Sequence, residues 1–205
     1  MDRLRSPGGC PWDAEQTHES LVKFLLEESY EFIEAVETND REAMREELGD
    51  VLLQVYFHAR MAEEHPTEPF SIEDVAQTVA EKLVRRHPHV FGEVEDLSSD
   101  EVLENWEVLK ALEKGRTSAV DGVPLAQPAL PLVAKLLYRA EKNRLQLKLP
   151  ERIAEPTEAT EAAVGELLLA TIAWASAHGV DPEGALREVA RGLIAQIEDL
   201  ESTVG

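Results

Sequence analysis

Several features are scarce or absent in this 205-residue chain, and each absence removes a class of protein. A single cysteine, Cys10, excludes a disulfide within the chain and is typical of a reducing compartment. No apolar run approaches the roughly 18 residues that a membrane-spanning helix needs. The first residues lack the apolar core of a signal peptide. We therefore expect a cytoplasmic protein with no membrane partner.

Positive charge is also scarce. The chain has 20 Lys and Arg residues against 41 Asp and Glu residues, which gives a net charge of −21. Such a surface repels DNA, RNA and anionic membranes, so we expect no nucleic-acid partner. It does not oppose a nucleotide that arrives as its metal complex.

The sequence has no convincing strand pattern and no glycine-rich phosphate loop, whereas helical periodicity runs through most of it. The predicted fold class is therefore all-α. Helices are predicted at about 17–37, 41–64, 72–86, 99–114, 129–147 and 157–177, with a last one starting at Asp181-Pro182. Predicted N-caps are Thr17 and Asp40, with capping boxes at Ser71-Asp74 and Ser98-Glu101. The proline-rich stretch 116–131 is predicted to be a linker.

The most informative pattern is a pair of carboxylate motifs, Glu28-x-x-Glu31 and Glu47-x-x-Asp50. A spacing of three places two side chains on one helix face, with Cβ atoms about 5–6 Å apart. If the two helices face each other, four negative charges meet, which is unfavourable unless a cation lies among them. The pattern therefore predicts a site for a hard metal ion.

The ordinary alternative is that these residues are solvated surface acids, as most of the 41 acids must be. Asp50 argues against it, because it lies in the most apolar stretch of its predicted helix, where an unpaired carboxylate is costly. Oxygen ligands favour Mg²⁺, or Mn²⁺ as a substitute, over zinc. A di-iron site would want Glu-x-x-His motifs, and neither pair has a histidine at that spacing.

A basic segment, from Lys82 to His89, forms the densest positive patch in the chain. Its cations could simply complement the C-terminal end of a helix dipole. They could also bind phosphate, because arginine offers a planar fork and lysine a point charge. Lys82 and Arg86 are four residues apart and share a helix face, and Arg85 lies between them.

Two tryptophans offer aromatic surfaces. Trp106 and Lys110 share a helix face, which suits either core packing or a base stacked beside a phosphate contact. Trp12, in the segment Gly9-Cys-Pro-Trp-Asp13, could pack over the bundle or line a nucleotide pocket, and both alternatives stay open. Cys10 has no thiolate-activating surroundings in the sequence, and we interpret it as structural.

An internal repeat relates the two halves of the chain. The run Leu48-Gly-Asp-Val-Leu-Leu53 resembles Val164-Gly-Glu-Leu-Leu-Leu169, and Val79–Leu83 aligns with Val189–Leu193. In the second copy Ala163 stands for Glu47, Gly192 for Lys82 and Gln196 for Arg86. The apolar frame is kept, and the polar site is not.

These motifs resemble the MazG family of nucleoside triphosphate pyrophosphohydrolases over about residues 8–115. The resemblance rests on the Gly9–Thr17 and Leu26–Glu31 runs, on Glu47-x-x-Asp50, on Lys82–Phe91, and on Trp106 with Lys110. It implies a four-helix-bundle-like all-α module completed by dimerisation. It also implies Mg²⁺-dependent cleavage between the α- and β-phosphates, which gives a nucleoside monophosphate and pyrophosphate.

The resemblance also implies roles for individual residues. Metal ligands would be Glu28, Glu31, Glu47 and Asp50, with Glu27 as a neighbour that tunes the site or orients water. Substrate contacts would come from Lys82, Arg85, Arg86, Trp106, Lys110 and Trp12. Residues 1–118 would form the catalytic module, and 119–205 a degenerate, structural second module. The alternative function is a nucleotide-binding regulator that has lost hydrolysis.

Overall fold

The structure is a computed structural model, and it describes residues 1–92, 98–115, 117–149 and 160–192. Within these residues the regular secondary structure is entirely α-helical, which confirms the predicted fold class. The helices are α1 (Asp2–Arg5), α2 (Pro11–Glu15), α3 (His18–Glu37), α4 (Arg41–Ala62), α5 (Ile72–Arg86), α6 (Pro88–Phe91), α7 (Ser99–Glu113), α8 (Ala129–Lys142), α9 (Glu161–Ala177) and α10 (Pro182–Gly192). Two compact units divide the chain, Met1–Glu107 and Val108–Gly205.

The centre of the first unit is an antiparallel hairpin of α3 and α4. Thr17 caps α3 by accepting from the Ser20 amide, and Asp40 caps α4 by accepting from two amides in its first turn. Asn39 makes the reversal between them with φ 57°, a left-handed conformation that asparagine tolerates. The hairpin buries Leu21 against Phe57 at its open end.

The N-terminal segment is fastened to the end of α4. The Arg5 side chain is 5% exposed, pairs with Glu64 at 2.8 Å, and donates to the backbone oxygens of Asp13 and Gln16. Gly9 is needed for this turn, because a Cβ there would lie 2.3 Å from backbone oxygens of α1. This clamp holds α2 beside the hairpin.

Helix α5 follows its own capping box, in which Ser71 and Asp74 satisfy each other's backbone amides. It packs on α4 and ends at Arg86, where His87-Pro88 redirects the chain into α6. These features confirm the predicted start and end of the third helix. The short helices α1, α2 and α6 were not predicted from the sequence.

In the second unit, α8 packs against α9. The expected helix over 129–147 is wrong at its C-terminal end, since α8 stops at Lys142. Arg144 adopts φ 56°, and the Leu145 amide returns to the Ala140 carbonyl, a left-handed ending of the type that terminates helices. The start predicted near 157 lies outside the described residues, where Glu158, Gln196 and Leu193 also fall; Thr160 caps the described part of α9.

Among the described helices, none is by itself both long and apolar enough to cross a bilayer. Helices α9 and α10 meet the length and composition only when counted together, and the chain bends by 109° between them.

Candidate active site

The α3–α4 hairpin brings three of the predicted carboxylates together. Glu28 from α3 and Glu47 and Asp50 from α4 each place one oxygen within 4.8 Å of the others. All three residues are half-buried. The spacing of three on α4 aims Glu47 and Asp50 at the same neighbour, as the sequence predicts. Glu31, the fourth predicted ligand, is exposed and is not among the residues that meet this distance. We call the three residues together with Glu31 the carboxylate cluster.

Glu31 joins the cluster through its electrostatic effect. Among the charges that act on the pKa of Glu47, Glu31 has the largest effect, and a hydrogen bond between the two carboxyl groups has the smallest of the effects on that pKa. Partial desolvation, then repulsion from Glu31 and Asp50, raises the pKa of Glu47 above its ordinary value. The negative charges of this group therefore oppose one another.

The pKa of Glu28 is raised in the same way. Partial burial is the main cause, followed by the charges of Asp50, Glu31 and Glu47, with Glu27 as the last contributor. Glu27 itself is exposed, one residue before the cluster on α3. Such mutual repulsion is relieved by protonation or by a bound cation.

The donor set fits a hard divalent cation. Carboxylate oxygens on two packed helices are the ligands that Mg²⁺ and Mn²⁺ accept, usually with several waters retained. The described cluster contains no histidine or cysteine, which are the ligands that zinc favours. The residues present could therefore hold Mg²⁺.

A second group, which we call the basic-aromatic cluster, forms where α5 ends. Arg86 is 7% exposed, and its guanidinium carbon lies 5.8 Å from the centre of the Trp106 ring. His87 meets the same ring edge-on at 5.0 Å, while its Nδ1 hydrogen-bonds to the Leu83 carbonyl at 2.7 Å. Arg86 and Trp106, predicted from separate motifs, are thus brought together.

The other predicted basic residues have different settings. Lys82 is half-buried one turn before Arg86, and it makes no ion pair with the residues that the structure describes. Arg85 is exposed, 3.9 Å from the Glu81 carboxylate. Lys110 is half-buried one turn after Trp106 on α7, in the second unit.

Trp12, on α2, contacts helix α3 of the hairpin. The residue is 50% exposed, and its ring packs edge-on against Phe24 with the ring centres 5.9 Å apart. Phe24 is four residues before Glu28, roughly 6 Å along α3. Trp12 therefore presents a partly exposed aromatic surface about one helical turn from the carboxylate cluster.

Sequence reasoning missed Gln54, His58 and His18. Gln54 is 5% exposed, and its Oε1 is buried without a hydrogen-bond partner in the described structure. The Nε2 atom of His58 is also buried without a partner there. His58 stacks on His18, with their Nδ1 atoms 2.7 Å apart. The signal was available, because Gln54 interrupts the same apolar stretch of α4 that made Asp50 unusual.

Fold and site together define an all-helical protein whose central hairpin carries paired carboxylates. Residues 16–91, which contain the whole carboxylate cluster and Lys82, Arg85 and Arg86, match the MazG nucleotide pyrophosphohydrolase domain. The chain belongs to the MazG family.

Several relatives extend this likeness over the full chain. A Thermotoga maritima protein named nucleoside triphosphate pyrophosphohydrolase/pyrophosphatase MazG is 40% identical, covering 100% of this chain and 84% of the relative. The Escherichia coli K12 nucleoside triphosphate pyrophosphohydrolase is 34% identical over 100% of this chain and 85% of its own. An uncharacterized 26.1 kDa protein of Streptomyces cacaoi is 50% identical, covering 93% and 75% respectively.

Proposed function

We propose that this protein is a Mg²⁺-dependent nucleoside triphosphate pyrophosphohydrolase. It cleaves between the α- and β-phosphates, gives a nucleoside monophosphate and pyrophosphate, and serves to clean the nucleotide pool. The observation that carries the proposal is the carboxylate cluster, formed between two helices within the span that matches the family. Family membership supplies the class of substrate.

The proposed metal ligands are Glu28, Glu31, Glu47 and Asp50. When bound, Mg²⁺ supplies a Lewis acid that polarises a phosphate oxygen and neutralises charge on the leaving pyrophosphate. The four carboxylates on α3 and α4 would hold the ion. Glu27, exposed beside them, tunes the charge of the site. Mn²⁺ would substitute because it accepts the same oxygen ligands.

The basic-aromatic cluster and its neighbours bind the substrate. Lys82, Arg85 and Arg86 contact phosphate oxygens, whose developing charge they stabilise in the transition state. Trp106 and Lys110 contact the nucleotide, and Trp12 offers a second stacking surface. Stacking holds the base while charged groups hold the phosphates, so that the α-phosphorus is presented to water.

The proposal is tested by incubating the protein with a panel of nucleoside triphosphates and Mg²⁺ and identifying the products. We expect equimolar monophosphate and pyrophosphate from the wild type and neither product from Glu47→Ala or Asp50→Ala, with the fold unchanged by circular dichroism. Glu46→Ala is the matched control, since it removes the adjacent exposed acid. Wild-type rates in the Glu47 and Asp50 variants would refute the site. Nucleotide binding without product would instead support the regulator.

We also propose that the module works as a homodimer or a higher homo-oligomer. Apolar stripes lie about half exposed at helical spacing on α3 (Val22, Leu26, Tyr30) and on α4 (Leu48, Leu52, Tyr56). Burial of such stripes in a second copy would complete a four-helix bundle. Sedimentation of Leu52→Glu, beside the wild type, tests this proposal. A wild-type monomer at micromolar concentration would contradict it.

Residues 119–205 are proposed to form a structural second module, and residues 1–118 the catalytic one. The second copy of the repeat keeps apolar residues but has Ala163 in place of Glu47, Gly192 in place of Lys82 and Gln196 in place of Arg86, so it lacks the full set of acids and these cations. A truncation ending near residue 118 tests both roles. Full activity in a stable monomer would contradict a role in dimerisation, whereas misfolding would support a structural role. We also propose a cytoplasmic site of action, and the strongly acidic composition opposes nucleic-acid and anionic membrane partners.

A further inference from the structure

Gln54 is buried in the hairpin with a side-chain oxygen that lacks a hydrogen-bond donor in the described structure. The residue is 5% exposed, yet its carboxamide oxygen has no hydrogen-bond donor among the described residues. A buried polar atom without a partner destabilises a fold, so native proteins hold few of them, and functional sites are one place where they persist. A methionine or leucine would fill the position without that penalty.

The register of the hairpin places Gln54 next to the carboxylate cluster. Glu28 meets Asp50 on one side of it, and Leu21 packs with Phe57 on the other. Gln54 therefore lies in the layer between the candidate metal site and the apolar end of the hairpin. It follows Asp50 by four residues, so it shares that helix face at a distance of roughly 6 Å along α4.

His58 lies one helical turn beyond Gln54 on α4 and has a second buried polar atom. Its Nε2 is also buried without a partner in the described structure, while its Nδ1 is 2.7 Å from Nδ1 of His18, which is exposed. Two unpartnered polar atoms on successive turns, leading away from the carboxylates, indicate a position for hydrogen-bonded water rather than a packing fault. His58 and Gln54 thus lie between His18, which is exposed to solvent, and Asp50.

We propose that Gln54 is a positioning residue of this active site, and the proposal rests on the function proposed above. Its carboxamide oxygen accepts a hydrogen bond from the water molecule that attacks the α-phosphorus. In that step the water oxygen forms a bond to phosphorus and releases one proton to solvent, the bond from phosphorus to the bridging oxygen breaks, and pyrophosphate leaves with its electron pair. Gln54 takes no proton; it fixes the orientation of the water.

The test compares wild type with Gln54→Met and Gln54→Leu. We expect kcat for pyrophosphate release to fall at least tenfold, with KM within twofold of wild type. The Tm of the metal-free protein should rise, because an unpartnered buried polar atom is removed. Mg²⁺ affinity, titrated calorimetrically with the metal alone, should change less than threefold, because Gln54 is not a direct ligand.

Two further variants sharpen the outcome. Gln54→Glu keeps an acceptor oxygen at the same length and should restore kcat to at least a third of wild type at saturating Mg²⁺. Gln77→Met removes an exposed glutamine bonded to Glu81 and should change neither kcat nor Tm.

Several results would overturn the proposal. Unchanged kcat in the apolar variants shows that Gln54 orients nothing, and a fall in Tm in both assigns it a structural role. A tenfold loss of Mg²⁺ affinity makes it a direct ligand, and equal inactivity of Gln54→Glu removes the acceptor role. If the wild type itself releases no pyrophosphate, the function proposed above fails.

Discussion

Glu28 and Asp50 come from different helices, yet their carboxylate oxygens lie within 4.8 Å of each other. Partial burial is the main cause of the raised pKa of Glu28, and the charge of Asp50 is the second. Both groups are half-buried in the hairpin, whose apolar cluster of Leu21, Phe57 and Met61 lies at its open end. The folded protein thus holds two like charges together that the unfolded chain would separate.

This repulsion has a consequence for stability without metal. Because the folded-state pKa of Glu28 is raised, the native state binds the proton more tightly than the unfolded chain does. Its contribution to stability is therefore present below the ordinary glutamate pKa of about 4.5 and is lost as the pH rises through the higher folded value. We predict that Glu28→Gln raises the Tm of the metal-free protein at pH 7, and that the gain shrinks at pH 4.5. Thermal unfolding in a chelator measures both; Glu37→Gln, exposed at the end of α3, is the control.

Bound metal should turn this destabilising repulsion into a gain in stability. A cation that binds only the native state adds RT ln(1 + [L]/Kd) to stability, about 2.7 kcal/mol at a hundredfold excess over Kd. We predict that Mg²⁺ raises the Tm of the wild type and leaves the Tm of Asp50→Asn nearly unchanged. Addition of chelator should return the wild type to its starting value. An equal rise in both proteins would show that Mg²⁺ binds elsewhere.

Lys82 should act on the substrate rather than on the fold. It is half-buried beside the basic-aromatic cluster and has no ion pair with the described residues, so its loss removes no internal bond. We predict that Lys82→Met raises KM for a nucleoside triphosphate about tenfold, equivalent to about 1.4 kcal/mol, with Tm unchanged. Lys148→Met, exposed in the second unit, is the matched control. A fall in Tm with no change in KM would contradict a phosphate role.

Arg5 should matter for stability and leave the chemistry intact. Its side chain is 5% exposed, pairs with Glu64 and lies 5.6 Å from the centre of the Phe57 ring. Removal leaves the partly buried carbonyl oxygens of Asp13 and Gln16 without this donor, which costs about 1–3 kcal/mol. We predict that Arg5→Met lowers the free energy of unfolding by this amount, measured in urea. Arg3→Met, in an exposed position on α1, should stay within about 0.5 kcal/mol of wild type.

Much of the hairpin could be predicted from sequence because its signals are local. Thr17, Asp40 and Ser71 cap the helices they were expected to cap, since capping depends on residues within one turn. The end of α8 at Lys142 was missed because Arg144, a residue with no preference for positive φ, makes the turn. Helices α1 and α2 depend on long-range bonds of Arg5 that no local pattern encodes.

The candidate site also has one part that local spacing predicts and another that only the fold determines. Spacing along one helix predicted that Glu47 and Asp50 share a face, and the hairpin then determined that Glu28 meets them. The contact between Arg86 and Trp106 joins residues from separate motifs, so only the structure could supply it. Gln54 was passed over because a glutamine carries no charge, and its burial without a partner is visible only in three dimensions.

The most direct test of the central claim is hydrolysis of a nucleoside triphosphate in water enriched in ¹⁸O, with Mg²⁺, followed by mass spectrometry of both products. Attack at the α-phosphorus predicts one ¹⁸O atom in the monophosphate, none in the pyrophosphate, and no turnover in Asp50→Asn or in a chelator. Label in the pyrophosphate, release of inorganic phosphate, or equal rates in wild type and Asp50→Asn would contradict a pyrophosphohydrolase built on the carboxylate cluster.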